Sequence, residues 1–396
     1  MTLLRPFRIA SAITGGVLLG VGALCGQAAP GRPALARSSD LNDWTAYFDY
    51  GIEMLRTQPH RVDSYSADAP PTRPHRADSA FYWASRLDPS RAEPLLGRWV
   101  AFWLQDIGRF EDYLEEKPKV LQSPAVIQAD SLYRRALERN PFVPQNLRIL
   151  PYNQLPGRWL SDLGTQGWLA YVQGDYPRAV ERFARLIARD PDKHVRVRYY
   201  RALAFIPIHR YDSAAVEMRA LIATLRRMDT TGTISGVYES KELAEYGLGL
   251  LAMAQGDNAG AQAAFERALQ ENLGFAPAHM ELGDLALTRR DWAGAAREYA
   301  AAVEVAPADG WIRSRYGAVL ANIGQPAEAV TQLRQAIALE PYFADSYLSL
   351  AGALEATDDR PGAITALEGF LSRAPRRATE QIEAAQRRLS ALRSSP

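Results

Sequence analysis

Residues 248–268 read LGLLAMAQGDNAGAQAAFERA, and the same frame returns at 282–302 (LGDLALTRRDWAGAAREYAAA), 316–336 (YGAVLANIGQPAEAVTQLRQA) and 350–370 (LAGALEATDDRPGAITALEGF). The small residues Gly249, Gly283, Gly317 and Ala351 recur every 34 positions, and Ala261, Ala295, Ala329 and Ala363 follow each of them after twelve. A fixed period of this length across four units marks a helical repeat array rather than one compact domain.

Inside each unit the recurring positions have mechanical roles. Four residues after the second small residue stands a bulky apolar one (Phe265, Tyr299, Leu333, Leu367), and three further on come Ala268, Ala302, Ala336 and Phe370. Steps of four and three keep these side chains on one helical stripe, which must be buried. In the last three units Pro307, Pro341 and Pro375 follow five residues later, where the missing N–H and the ring clash stop a helix. Each unit therefore reads helix, turn, helix, stop. The turns are Gln255-Gly256-Asp257, Arg289-Arg290-Asp291, Ile323-Gly324-Gln325 and Thr357-Asp358-Asp359.

These residues resemble the tetratricopeptide repeat (TPR) family. The resemblance is carried by Leu248-Gly249, Leu282-Gly283, Tyr316-Gly317 and Leu350-Ala351, by Ala261 with Phe265 and Ala295 with Tyr299, and by the closing prolines. Departures are Glu245, His279 and Arg313 where the family favours Trp. Upstream the stencil fits less closely: Gly167, Ala179, Phe183 and Pro191 repeat the spacing around a Gly174-Asp175-Tyr176 turn, and Ala202, Ala214, Met218 and Leu221 form a degenerate unit. Two earlier second helices are marked by Ala77, Phe81, Ala84 and Pro89, and by Ala129, Tyr133, Ala136 and Pro141. The resemblance implies an all-α fold, an α-solenoid of about eight helix-turn-helix repeats with a C-terminal capping helix.

Irregularities divide the chain. If Gly51 and Ala101 are first-helix positions of units 1 and 2, the steps to Ala77 and Ala129 leave insertions in the turns, at 57–76 and 106–124. The first carries Pro59, Pro70, Pro71 and Pro74, so neither reads as one uninterrupted helix. Irregular repeats with these two inserted loops cover 41–141. Residues 142–157 are a Pro-interrupted connector, 158–228 hold further repeats, 229–241 form a Thr/Gly/Ser-rich joint, and 242–376 are the four regular repeats. Residues 377–393 give a capping helix whose Ile382, Ala385, Leu389 and Leu392 share one stripe, as an array end requires. Residues 29–40 read as a flexible lead-in.

Residues 1–28 read as an export signal: Arg5 and Arg8 precede an apolar run from Ile9 to Leu24, with Gly26-Gln27-Ala28 as a small-residue cleavage pattern. Cys25 offers lipid attachment as an alternative, and an uncleaved anchor is another; membrane contact is expected only in those two cases. The reading is an exported bacterial protein, periplasmic or envelope-associated. Removing Arg5 and Arg8 takes the net charge from +1 to −1, which gives no support to nucleic-acid binding. Cys25 is the single cysteine, so disulfides, thiolate metal sites and cysteine catalysis are not expected of the mature chain. His60, His75, His194, His209 and His279 never stand one helical turn apart. No Ser elbow, phosphate loop or paired-carboxylate motif is present, so no enzyme activity and no metal or other cofactor is expected.

Surface recognition remains. The resemblance implies that first helices line a concave groove, and carried over residue by residue its lining includes Trp168, Tyr171, Tyr199, Tyr246, Met253, Met280, Asp284, Trp311 and Asn322. Aromatic and Met side chains suit apolar anchors of a protein or peptide partner. No Lys occurs at these positions, so the two-carboxylate clamp by which some TPR proteins hold acidic chaperone tails is absent. The expected function is a non-enzymatic protein-interaction scaffold acting through this groove and the inserted edge; a glycan-binding module is the alternative.

Overall fold

The computed structural model describes residues 29–56, 73–115, 117–152, 163–191, 195–231 and 240–394, and among them every regular element is a helix. Unit 1 pairs α1 (Trp44–Arg56) with α2 (Arg73–Leu87). Unit 2 pairs α3 (Glu93–Gln105) with α6 (Pro124–Arg139), and its insertion at 106–124 is two short helices, α4 (Ile107–Leu114) and α5 (Pro118–Leu121). The connector holds a 3-10 turn at Asn146–Arg148 and the short α7 (Ile149–Tyr152). Units 3 and 4 are α8 (Leu163–Val172) with α9 (Tyr176–Arg189) and α10 (Val195–Phe205) with α11 (Tyr211–Thr231). Units 5 and 6 are α12 (Lys241–Ala254) with α13 (Asn258–Glu271) and α14 (Ala276–Thr288) with α15 (Trp292–Val305). Units 7 and 8 are α16 (Gly310–Asn322) with α17 (Pro326–Leu339) and α18 (Ala344–Glu355) with α19 (Arg360–Leu371); α20 (Thr379–Ser394) follows. The chain is an α-solenoid. Of the insertion expected at 57–76, residues 57–72 lie outside the described residues and 73–76 open α2 as helix; most of the joint, at 232–239, and the signal at 1–28 also lie outside them.

The sequence stencil is a packing rule. In units 3, 6 and 7 a β-carbon added to the first-helix glycine would come within 3 Å of the large residue sixteen positions on: Gly167 against Phe183, Gly283 against Tyr299, Gly317 against Leu333. In unit 1 Gly51 stands the same way against Phe81, 2.5 Å from its ring. That contact pairs α1 with α2 in the same way. Phe183, Tyr299, Leu333 and Phe81 have no exposed surface.

In units 3, 5, 6 and 8 the intra-unit turn is closed by one left-handed residue followed by an Asp; unit 7 has Gly324 followed by Gln325, which makes no side-chain cap, and unit 4 has left-handed His209 followed by Arg210. Gly174, Gly256 and Gly324 have φ near +80°, and Arg290 and Asp358 hold the same place with φ of 60° and 57°. The next residue caps the second helix: Asp175, Asp257, Asp291 and Asp359 accept from the N–H groups of Arg178, Gly260, Gly294 and Gly362, satisfying donors the helix itself cannot. Where the family favours Trp, polar side chains tie the first helix to the second. Glu245, 3% exposed, is bridged by Arg226 and Arg267 at 3.3 and 2.9 Å. His279 lies 2.8 Å from Glu298, and Arg313 donates to Gln332 at 2.7 Å.

At the C-terminus α20 buries Ala385 and Leu389, with Ile382 and Leu392 packed beside them, and Glu383 faces Arg387 at 3.7 Å on the outside. No described helix is long and apolar enough to cross a membrane. The lead-in differs from the sequence expectation of a flexible segment. The Arg32 guanidinium lies 4.9 Å over the Trp83 ring and donates to the Leu41 carbonyl at 2.6 Å, and Asp40 accepts the backbone N–H of Arg376. A cation stacked on an indole fixes this segment, a contact without periodic signature.

Candidate functional site

The first helices α8, α10, α12, α14 and α16 carry the residues assigned to the inner row, and the structure divides them by burial. Tyr171, Tyr199, Tyr246 and Met280 are all less than a tenth exposed. Trp168, Met253, Asp284 and Trp311 are half-buried, and Asn322, at the end of α16, is exposed.

Units 2 to 4 meet around one cation from the connector. Arg148 is buried, and its guanidinium lies between 4.9 and 5.8 Å from the rings of Trp99, Tyr133, Trp168 and Tyr200. It also donates to the Tyr133 hydroxyl at 2.8 Å. Trp168 packs on Tyr200 at 4.3 Å and edge-on to Tyr171 at 5.6 Å. Tyr171 is deep enough that burial pushes its hydroxyl up to about 12. Tyr199 donates its hydroxyl to the carbonyl of Pro141, the second residue past α6.

Units 5 to 7 carry a polar chain along the same row. Tyr246 packs its ring on Phe265 and Phe275 and donates to Glu281 at 3.3 Å. Burial, reinforced by the nearby charge of Asp284, raises the Glu281 carboxyl to about 7 against the pull of Tyr246 and Arg315. Asp284 accepts from the Tyr299 hydroxyl at 2.6 Å and from Arg315. Beyond them the Arg139 guanidinium sits 4.2 Å over the Trp311 ring and pairs with Asp309, which also caps α16. Arg139, Arg148, Glu281 and Arg315 escape the sequence reading. Glu281 and Arg315 adjoin assigned positions on their helices, whereas Arg139 and Arg148 belong to a second helix and a connector that the first-helix stencil does not sample.

The row therefore offers hydrogen-bonding and cation-stacking groups on a scaffold of paired helices. Among the described residues no group of three or more His, Cys, Asp or Glu side chains is arranged to hold a metal ion.

A family model of tetratricopeptide repeats matches residues 165–224 and 246–310. Among solved structures, that of YrrB, a TPR protein with an unusual peptide-binding site, is 18% identical over 52% of this chain and 99% of its own, with a TM-score of 0.40. The C-terminal part of a TPR repeat-containing protein from Cytophaga hutchinsonii is 14% identical over 58% of this chain and 95% of its own, TM-score 0.40. The TPR2AB domain of yeast Sti1 in its pHSP90 complex is 18% identical over 60% and 98%, TM-score 0.25. No curated protein matches the chain. The two stretches that match the family model fall on units 3 and 4 and on units 5 and 6.

Proposed function

We propose that this protein is a non-enzymatic scaffold that binds a protein or peptide partner along the inner row of its repeats, in the envelope of an exporting bacterium. The observation that carries the reading is the polar and aromatic lining of consecutive first helices in units 5 to 7, where Asp284, Arg315 and Trp311 keep part of their surface while their neighbours are locked in the core. Partly exposed Trp and Arg held by a rigid frame supply contact area and directional bonds at little ordering cost. Trp168 has the Arg148 guanidinium beside its ring and Tyr200 packed on it, which favours a protein partner over a sugar that needs a free ring face.

In-cell crosslinking through a photoreactive residue at Asn322, the exposed end of the row, tests the binding reading. Capture of a defined protein is expected, and it should fall when Trp311 and Asp284 are both replaced by Ala. Capture that is indifferent to both changes overturns the groove. The export reading rests on the charged, apolar and small-residue order of residues 1–28. Intact mass of envelope-derived protein should begin at Ala29, and a diacylglyceryl adduct on Cys25 would select the lipoprotein alternative.

A further inference from the structure

The first two units lie against the last three along a series of polar contacts. Innermost, Arg139 at the end of α6 pairs with Asp309 and covers Trp311. Next, Arg86 near the end of α2 donates to the Leu339 carbonyl at 2.8 Å and lies 2.7 Å from Glu340, with Trp83 edge-on to Tyr342 at 4.9 Å. Outermost, Asn42 donates to the carbonyls of Ser372 and Ala374 at 3.1 and 3.4 Å, and Arg377 lies 3.3 Å from Asp43. Moving back through 139, 86 and 42 therefore moves forward through 309, 340 and 374, about one repeat per step. The two edges run antiparallel and in register.

This contact differs in kind from those between successive units, which an apolar stripe joins. One large apolar cluster runs from unit 1 into α14, the other from α14 to α20, and among the described residues neither extends across the edge contact. What holds the edges is guanidinium, carboxylate, amide and carbonyl groups plus one ring pair. Of the ion pairs only Arg377–Asp43 has a half-exposed partner and is of the kind that contributes about 0–1 kcal/mol and weakens with salt; Arg139–Asp309 and Arg86–Glu340 are largely buried, where the cost of stripping water from both charges offsets most of their attraction. Beside the innermost pair there is an apolar anchor, where Leu137 and Pro141 of unit 2 face Leu243 and Ala244 of unit 5 around a small void. The apolar anchor lies at the inner end of the series, and the other polar contacts lie beyond it.

We infer that the edge contact is a reversible latch: units 1 and 2 swing away from units 6 to 8 about the α6–α12 anchor, releasing Arg86 and Arg139 and giving a protein partner access to Trp311 and to the turn at 339–342. The access clause rests on the groove reading above; the opening itself does not. The chain thus covers its own binding row with arginines that a partner's contacts must displace.

Double electron–electron resonance between spin labels at Leu41→Cys and Arg387→Cys, in full-length protein with Cys25→Ser, tests the opening without any partner. Leu41 is half exposed and Arg387 stands free of the contact on α20. One short distance should dominate in the parent chain at low salt. A longer population should grow roughly tenfold in Arg86→Ala/Arg139→Ala, and should grow by less in the parent chain between about 0.1 M and about 1 M NaCl, where salt reaches chiefly the outermost pair. Asp309→Asn/Glu340→Gln removes the same pairs from the other side, and the Asn can still accept as a helix cap, so it must open likewise with helical circular dichroism unchanged. A single short distance in every variant and salt overturns the latch. An open variant whose capture of partner is no stronger than the parent's overturns the access clause and leaves the hinge standing, whereas loss of capture in both refutes the groove reading instead.

Discussion

The ring of Phe265 occupies the space that a β-carbon on Gly249 would need: the nearest ring atom would lie 2.2 Å from it, and Phe265 has no exposed surface through which to retreat. The first helix of unit 5 approaches the second this closely only because Gly249 has no side chain. Ala at a mid-helix position normally gains about 1 kcal/mol over Gly. Here overpacking opposes it, at about 1–3 kcal/mol and toward the upper end for so short a contact. Gly249→Ala should therefore lower stability by about 1–2 kcal/mol in urea unfolding, and a variant as stable as the parent would show that the helices can part at no cost.

The intra-unit turns allow the opposite substitution. Arg290 and Asp358 hold the left-handed conformation that Gly256 and Gly324 hold in sister units, and an L-residue there is strained by about 1 kcal/mol. Arg290→Gly and Asp358→Gly should each stabilise their units by about 0.5 kcal/mol, part of the relief being lost to the freer unfolded chain. Hydrogen exchange of α15 and α19 reads this locally, and faster exchange in either variant would mean that the side chain does more than tolerate the turn.

The repeat stencil explains how much was legible in the sequence. Pairs such as Gly249 with Phe265, the turns and the Asp caps are local, and periodicity reports local rules directly. The same periodicity assigned Tyr199 and Tyr246 to an inner row, but could not show that they are enclosed, because burial there involves Pro141 beyond α6 for Tyr199 and Phe275 beyond α13 for Tyr246. Polar replacements at the Trp position, such as Glu245, are visible as departures, yet their partners Arg226 and Arg267 lie in flanking second helices. The pairing of Asn42 with the carbonyls of Ser372 and Ala374 has no sequence signal, since one long polar side chain meeting a backbone carbonyl imposes no pattern on either segment.

Glu281 gives the chain a pH dependence. Its carboxyl is raised to about 7 by burial and by Asp284, so between its unfolded value and about 7 the folded protein holds a proton that the unfolded chain releases. Stability from this group is full at low pH and is lost as pH rises through about 7. Glu340, also raised by burial to about 7, acts in the same sense. Going from pH 6 to pH 8 should cost about 1 kcal/mol per group. Glu281→Gln should remove about half of that slope, and an unchanged slope would place the titration elsewhere.

Trp168 separates packing from recognition. Its ring contacts Tyr200, Tyr171 and the buried Arg148, so truncation leaves a cavity among aromatic groups and a cation that has lost one of its four rings. Cavities of this kind cost about 3 kcal/mol, somewhat less for a ring already half exposed. Trp168→Ala should therefore lower the unfolding midpoint of units 2 to 4 and speed exchange in α8 and α10, before any partner is added. Asn322 is exposed at the end of α16, and Asn322→Ala should leave stability within about 0.5 kcal/mol. Any partner affinity lost in Trp168→Ala must then be compared with Trp168→Phe, which keeps most of the packing. Affinity restored by Phe would assign Trp168 to the frame, while affinity still lost with exchange restored would assign it to the partner.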